Sequence, residues 1–444
     1  MVKDLTEGKA EIVLWAFTLP MFVSVIFQQL YNIADSIIAG KYAGEDALAA
    51  VGASYPITMI FMAIAVGSNV GCSVVISQLF GGRKYREVKT AIYTTLTASF
   101  LLSIVLTVIG LLGTKTLMTM IKTPENIFAD GALYLRIYIV GFMFLFLYNV
   151  CTGIFTSLGD SKTPLYFLIG SSIGNVILDW IFVAIFSWGV AGVAWATFIA
   201  QGIACLLAFV TLMIRLGAIQ TEDVPDFFSM KMLAKISRIA IPSILQQSFV
   251  SVGNIFIQGL INGYGSSVIA GYSAAIKLNT FMITSFGTLG NAVSSFTAQN
   301  IGAGKMERVK KGFKAGVALA FVIAVPVFVA YFFFGNNMMA LFMKEESAKA
   351  VETGVQFLKI VSPFYLFISL KLLADGVLRG AGSIKAFMVT TFSDLLLRVT
   401  LAYIFSAYWE TIGIWWSWPV GWTIATILSL VFYLEVAING RKAL

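Results

Sequence analysis

SQLFGGRKYREVKTA at residues 77–91 reads again 221 residues later as AQNIGAGKMERVKKG at 298–312. Gln78 pairs with Gln299, Gly81 with Gly302, Lys84 with Lys305 and Lys89 with Lys310. At the same offset G-V-A-W at 192–195 meets G-I-W-W at 413–416, and Pro20 meets Pro242 one residue further on. Anchors this widely separated at one period mark an internal duplication. Around them the chain falls into twelve apolar runs, at 12–39, 47–77, 88–113, 130–158, 163–187, 190–216, 233–262, 267–300, 309–335, 353–378, 384–406 and 412–438. A membrane-crossing helix needs about 20 mostly apolar residues, and each run supplies them. Of the 444 residues 59% are hydrophobic and 12% charged. That is about half the charge a soluble domain carries. The reading is an all-α polytopic membrane protein of twelve transmembrane helices in two six-helix repeats.

Six crossings per repeat is an even number, so both halves insert the same way round. Such parallel repeats are related by an axis along the membrane normal, and substrate is expected where they meet. The predicted lobes are residues 1–216 and 233–444, joined by a linker at 217–232 that carries Glu222, Asp223 and Asp226. Two bundles able to rock about a common site imply alternating access and a solute carrier. With the N-terminus inside, twenty Lys and Arg fall in inside segments, and only Lys41, Lys115, Lys122, Lys344 and Lys349 fall outside. This positive-inside bias places both termini in the cytoplasm of a cell whose inner or plasma membrane holds the chain. It also accounts for the net charge of +8 without a nucleic-acid partner.

The chain has no histidine, which excludes Ser-His-Asp, zinc-protease and histidine-relay chemistry. Cys72, Cys151 and Cys205 lie in apolar runs without C-x-x-C spacing and read as buried hydrophobes. No phosphate-binding loop is visible, so the driving force is expected to be an ion gradient. No cofactor and no structural metal is expected, and the chain reads as a carrier rather than an enzyme. The competing enzyme reading is a membrane hydrolase using paired aspartates, separable by an assay for cleavage products.

Charges inside a membrane helix are costly, about 3 kcal/mol each on insertion scales, so each needs a partner or a task. Asp394 has Arg398 four residues on, and Asp375 has Lys371 four before and Arg379 four after. Such spacings share a helix face, and the set reads as a structural charge cluster that Lys277 joins. Asp35 and Asp179 have no such neighbour. Asp35 stacks over Tyr31 and Gln28 on the first run; Asp179 stacks over Asn175 on the fifth, with Thr197 on the sixth. At about 1.5 Å per residue Asp35, Asn175, Asp179 and Thr197 fall in the outer half of the membrane. Carboxylates, an amide oxygen and a hydroxyl suit sodium, and two facing acids equally suit a shared proton. At offsets of 221–222 the repeat places Ile257 opposite Asp35, Leu396 opposite Asn175, Thr400 opposite Asp179 and Trp418 opposite Thr197. The second half therefore lacks this set.

LYNIADSIIAGKYAGEDALAAVG (30–52), SQLFGGRKYREVK (77–89), AQNIGAGKMERVK (298–310) and GVLRGAGSIKA (376–386) resemble stretches of the multidrug and toxic compound extrusion (MATE) family, in order and over essentially the whole chain. The resemblance implies a V-shaped, two-lobe exporter of organic cations or amphipathic drugs, exchanged for protons or sodium ions, and a monomer. It is nearest to the DinF-like branch, which implies that Asp35 is the coupling acid, with Asn175, Asp179 and Thr197 around it. It further implies Gln28, Tyr31 and Asn149 as substrate-pocket positions and Pro20 as a hinge in the first helix. The alternative within the same superfamily is a lipid-linked oligosaccharide flippase. That activity calls for a cationic cavity, for which only Lys277 and Lys371 are available.

Overall fold

The computed structural model describes residues 4–38, 42, 45–221, 223–340 and 348–439. Glu222, Lys41 and Lys344 lie outside the described residues. Within the described residues every regular element is helical. Lipid offers the backbone no hydrogen-bonding partner, so an apolar chain satisfies its peptide groups within each helix.

The elements are α1 (Ala10–Ile38), α2 (Glu45–Gly81), α3 (Tyr85–Met120), α4 (Glu125–Ser157), α5 (Lys162–Asp179), α6 (Gly189–Ala218), α7 (Met230–Asn262), α8 (Ser266–Gly302), α9 (Met306–Phe333), the short α10 (Gly335–Ala340), α11 (Ala348–Val361), α12 (Tyr365–Ala381) and α13 (Ile384–Asn439). A π-helical turn, Trp180–Ile185, prolongs α5, and a 3-10 turn, Ser362–Phe364, joins α11 to α12 as one crossing. α13 is two helices: Trp409 and Glu410 leave helical geometry, and Glu410 takes a φ of 50°. We call these halves α13a (384–408) and α13b (411–439). Ten helical stretches among the described residues are long and apolar enough to cross a membrane, α13 counting once. The 37-residue α8, richer in Ser, Thr and Asn, is also of crossing length. With α13 divided, the twelve runs of the sequence each correspond to such a helix.

The chain forms two compact units, residues 23–248 and residues 4–22 with 249–439. The cuts run through α1 after Phe22, two residues beyond Pro20, and through α7 after Ser248, so each of these helices divides between the units. In unit 1, α2, α4 and α6 pack in sequence, with α3 and α5 outside them. α7 approaches α2 across Gly67 and Gly71. A Cβ on Gly67 would lie 2.5 Å from the Ile244 amide nitrogen, and one on Gly71 would lie 2.7 Å from Ala240 Cα. Small residues permit this backbone approach.

In unit 2, α12 packs against α8 and α13. The first half of α1 enters a core in which Leu14 and Phe17 meet Leu289, Phe296, Phe313 and Tyr433. The segment ahead of α1 is strapped to the α8–α9 turn. The Leu5 amide donates to Gln299 Oε1 at 2.9 Å, and Lys305 Nζ donates to the Thr6 carbonyl at 2.9 Å. Arg308 donates to the Leu5 and Glu7 carbonyls, each at 3.1 Å. Unit 1 repeats the device with the segment ahead of α7: the Asp226 and Ser229 amides donate to Thr90 and Thr94 Oγ1 on α3, at 3.1 and 3.0 Å.

Candidate ion-coupling site

Four helices of unit 1 converge on a buried acidic cluster. α1 carries Tyr31 and Asp35 one turn apart, α5 carries Asn175 and Asp179 one turn apart, α6 carries Thr197 and α4 carries Tyr134. Asp179 is fully buried and Asn175 nearly so, at 0% and 2% exposure; Asp35 is half-buried. The two carboxyl groups lie within hydrogen-bonding reach of one another. Asn175 Nδ2 donates to Thr197 Oγ1 at 3.5 Å, and Tyr31 lies within electrostatic reach of both acids. Tyr134 lies within electrostatic reach of both acids. A small cleft of about 10 Å³ lies beside Thr197, lined also by Tyr134, Tyr138, Ala194, Phe198 and Gln201.

The hydrogen bonding here is incomplete. Asp35 Oδ1, both Asp179 carboxyl oxygens and Asn175 Oδ1 are buried without a hydrogen-bond partner among the described residues. Buried polar atoms are ordinarily paired, and two facing carboxylates away from water require a counter-charge. The oxygens present suit either answer: a proton shared by the carboxyls, or a small hard cation held by carboxylate, amide and hydroxyl oxygens. The π-helical turn begins at the residue after Asp179. Such turns widen a helix locally and recur at functional sites.

Of the residues singled out by sequence, the structure thus brings together Asp35, Asn175, Asp179, Thr197 and Tyr31. Gln28 is exposed one turn before Tyr31. Asn149 Nδ2 is spent on the Leu145 carbonyl of its own helix at 2.8 Å, and the Asn149 carbonyl accepts from Asn69 Nδ2 at 2.8 Å. Pro20 lies within α1, where Thr18 Oγ1 donates back to the Leu14 carbonyl at 2.8 Å. Tyr134 was not among the sequence candidates. Its signal was a pair of tyrosines, Tyr134 and Tyr138, spaced four apart on an otherwise apolar run; their rings stack with centroids 6.5 Å apart.

Within the structural charge cluster one ion pair closes among the described residues. Lys371 Nζ pairs with Asp375 Oδ2 at 2.8 Å, while Thr390 and Ser429 donate to Asp375 Oδ1 at 3.0 and 2.8 Å. With both oxygens engaged, Arg379 instead lies over the Phe387 ring, 5.3 Å from its centroid. Asp394 and Arg398 do not close an ion pair; the Arg398 guanidinium sits 4.5 Å from the centroid of Trp418. Lys277 is exposed and makes no ion pair with Asp375. A shared helix face makes a pair available, and nearby aromatic faces compete for the same cation.

The repeat register also needs correction on one helix. Leu396, opposite Asn175 at the sequence offset, is 71% exposed where Asn175 is buried, and Thr400 is exposed where Asp179 is buried. An offset of 223 restores the burial pattern. It places Arg398 opposite Asn175 and Ala402 opposite Asp179, both buried. α6 and α13b keep the offset of 221, so the two residues are lost again between the acid's counterpart and Trp418, where unit 1 has its π-helical turn.

The MatE family model matches this chain twice, over residues 20–181 and 242–404. A curated relative, "Probable multidrug resistance protein YoeA" of Bacillus subtilis (strain 168), is 28% identical over 442 residues, covering 96% of this chain and 95% of its own. "Multidrug export protein MepA" of Staphylococcus aureus (strain bovine RF122 / ET3-1) is 22% identical, covering 94% and 92%. Among solved structures, one described as the outward-facing conformation of a multidrug resistance MATE family transporter superposes with a TM-score of 0.91 at 24% identity, over 99% of this chain and 98% of its own. A MOP superfamily transporter from Pyrococcus furiosus superposes with a TM-score of 0.92 at 23% identity, with the same coverage. The doubled match begins at Pro20 and Pro242, the prolines that mark the duplication, and the chain belongs to the MatE family: it is a multi-pass membrane transporter and not an enzyme.

Proposed function

We propose that this protein is a secondary active multidrug exporter that exchanges organic cations or amphipathic drugs for protons or sodium ions by alternating access. The observation that carries the coupling is the facing pair Asp35 and Asp179, with four buried oxygens of the cluster unpartnered among the described residues. Loading a proton or sodium ion there removes one of the pair's two negative charges, relieves their repulsion and changes what α1 and α5 gain by approaching one another. α1 is suited to relay that change: its first half packs in one unit and its second half in the other, with Pro20 near the division. An interior proline removes one helical hydrogen bond and lowers the cost of bending there. The relatives' names, multidrug resistance and multidrug export, support drugs as the cargo. Tyr31, one turn before Asp35 and within electrostatic reach of both acids, is the substrate-pocket candidate with the most direct access to the coupling charge. Both termini lie in the cytoplasm, as the positive-inside pattern indicates.

The test is transport of a fluorescent organic cation in proteoliposomes under a proton gradient and then a sodium gradient, with wild type and Asp35→Asn side by side. Gradient-driven transport in wild type that is lost in Asp35→Asn is the expected result, and the more effective gradient names the ion. Equal transport by both proteins overturns the assignment of Asp35.

A further inference from the structure

The repeat allows the acidic cluster of unit 1 to be compared with its counterpart in unit 2. The register is anchored by matching close approaches: Gly131 faces Met118 Cε and the Ala50 carbonyl, as Gly354 faces Met339 Cε and the Gly271 carbonyl. In this register Asp35, Tyr134 and Asp179 are replaced by Ile257, Phe357 and Ala402. Asn175 and Thr197, which touch through a 3.5 Å hydrogen bond, are replaced by Arg398 and Trp418, which touch through a cation-π contact of 4.5 Å. Where unit 1 presents an anionic cluster needing a cation, unit 2 presents a cation already in place.

Its surroundings are those of a cation site. Asp394 lies one turn before Arg398, and the two flank Gly421: a Cβ there would lie 3.5 Å from Asp394 Oδ1 and 3.4 Å from Arg398 Cβ. Tyr272 is within electrostatic reach of Arg398, and its ring stacks on Trp415 with centroids 5.3 Å apart. Arg398, Asp394, Tyr272 and Trp418 are all buried, at 6%, 7%, 4% and 4% exposure. Arg398 Nε, Asp394 Oδ1 and the indole nitrogens of Trp415 and Trp418 have no hydrogen-bond partner among the described residues. A carboxylate beside aromatic faces is the arrangement that captures organic cations. Its buried charge would be costly with nothing there.

We propose that unit 2 holds a cation site occupied by the protein's own Arg398 guanidinium, so that only unit 1 exchanges an ion, and that vacating Arg398 uncovers a binding site for a guanidinium-sized monovalent cation. The contrast with ion exchange rests on the function proposed above; the latent site does not.

The experiment is thermal unfolding of the purified full-length protein carrying Arg398→Ala, titrated with low-millimolar guanidinium or methylguanidinium against sodium chloride at equal ionic strength. Arg398→Ala is expected to melt below wild type and to be stabilised saturably by either guanidinium ion, with wild type unaffected. Arg398→Lys, which keeps the charge, is expected to melt near wild type. Asp394→Asn added to Arg398→Ala is expected to abolish the guanidinium response. No guanidinium response in Arg398→Ala, or an equal one in wild type, overturns the proposal. Where Arg398→Ala cannot be purified alone, recovery of folded protein with methylguanidinium present is expected, and failure to recover it also overturns the proposal. The rescue is expected to persist in an Asp35→Asn background, so a failure of the coupling assignment leaves it standing and is told apart from its own failure.

Discussion

Lys371→Met removes the cation that closes an ion pair with Asp375 and leaves a carboxylate that is 1% exposed. In the native protein that carboxylate has an ammonium at 2.8 Å and hydroxyl donors from Thr390 and Ser429 at 3.0 and 2.8 Å. The hydroxyls stay in place in the variant, and methionine fills most of the lysine stem's volume, so the loss is electrostatic rather than a cavity. Breaking a buried ion pair from one side costs about 3–5 kcal/mol, because the surviving charge is stranded. Asp375→Asn strands the ammonium instead and belongs in the same range. The double variant strands neither charge and is expected within about 1 kcal/mol of wild type, since neutral groups commonly replace a buried pair at little cost. The double-mutant cycle should therefore return a coupling energy of about 5 kcal/mol or more. Thermal unfolding of the detergent-solubilised protein, followed by size-exclusion chromatography of the surviving fraction, measures all four proteins. Single variants as stable as wild type would refute the reasoning. So would a stable Asp375→Asn protein whose transport has lost its ion dependence, because that would move Asp375 from architecture into coupling.

Three further perturbations test the remaining links. Gly67→Ala would place a methyl 2.6 Å from Ile244 Cα, and is expected to push α7 off α2 and cost about 1–3 kcal/mol; Gly170→Ala, with nothing within 4 Å, is the control expected to leave the melting temperature unchanged. Pro20→Ala restores a backbone donor in α1 and is expected to keep the fold while slowing transport in proteoliposomes several-fold, with unchanged transport removing the hinge. Asp160, in the turn between α4 and α5, is burdened by burial, yet hydrogen bonds from Thr163 and Arg215 and the Arg215 charge outweigh it and hold its carboxyl below the usual range. A depressed folded value means that its contribution to stability is complete above pH about 4 and fades as pH falls through the lower folded value. The melting-temperature gap between wild type and Asp160→Asn is therefore expected to be widest near neutral pH and to shrink in acid, and a gap that does not narrow in acid contradicts it.

The helices and the duplication were legible in the chain alone. Hydrophobic length leaves an apolar chain in lipid one regular way to satisfy its backbone, and recurring anchors such as Gln78 and Gln299 survive any packing. The sequence also isolated Asp35 and Asp179, because the absence of a basic residue on the same helix face is a local property. Helical spacing could show which charges share a face but not which of them touch. Lys371 and Asp375 close a pair, whereas Arg379 and Arg398 turn to Phe387 and Trp418, because a side chain selects among neighbours brought by other helices. Tyr134 entered the site for the same reason, from a helix nearly a hundred residues away from Asp35. The sequence register of the repeat drifted on α13a because a constant offset cannot register two residues gained and lost again; burial could, since an exposed Leu396 has no place opposite a buried Asn175. Local chemistry is written along the chain, while the partner of each buried charge is decided by the packing that desolvates it.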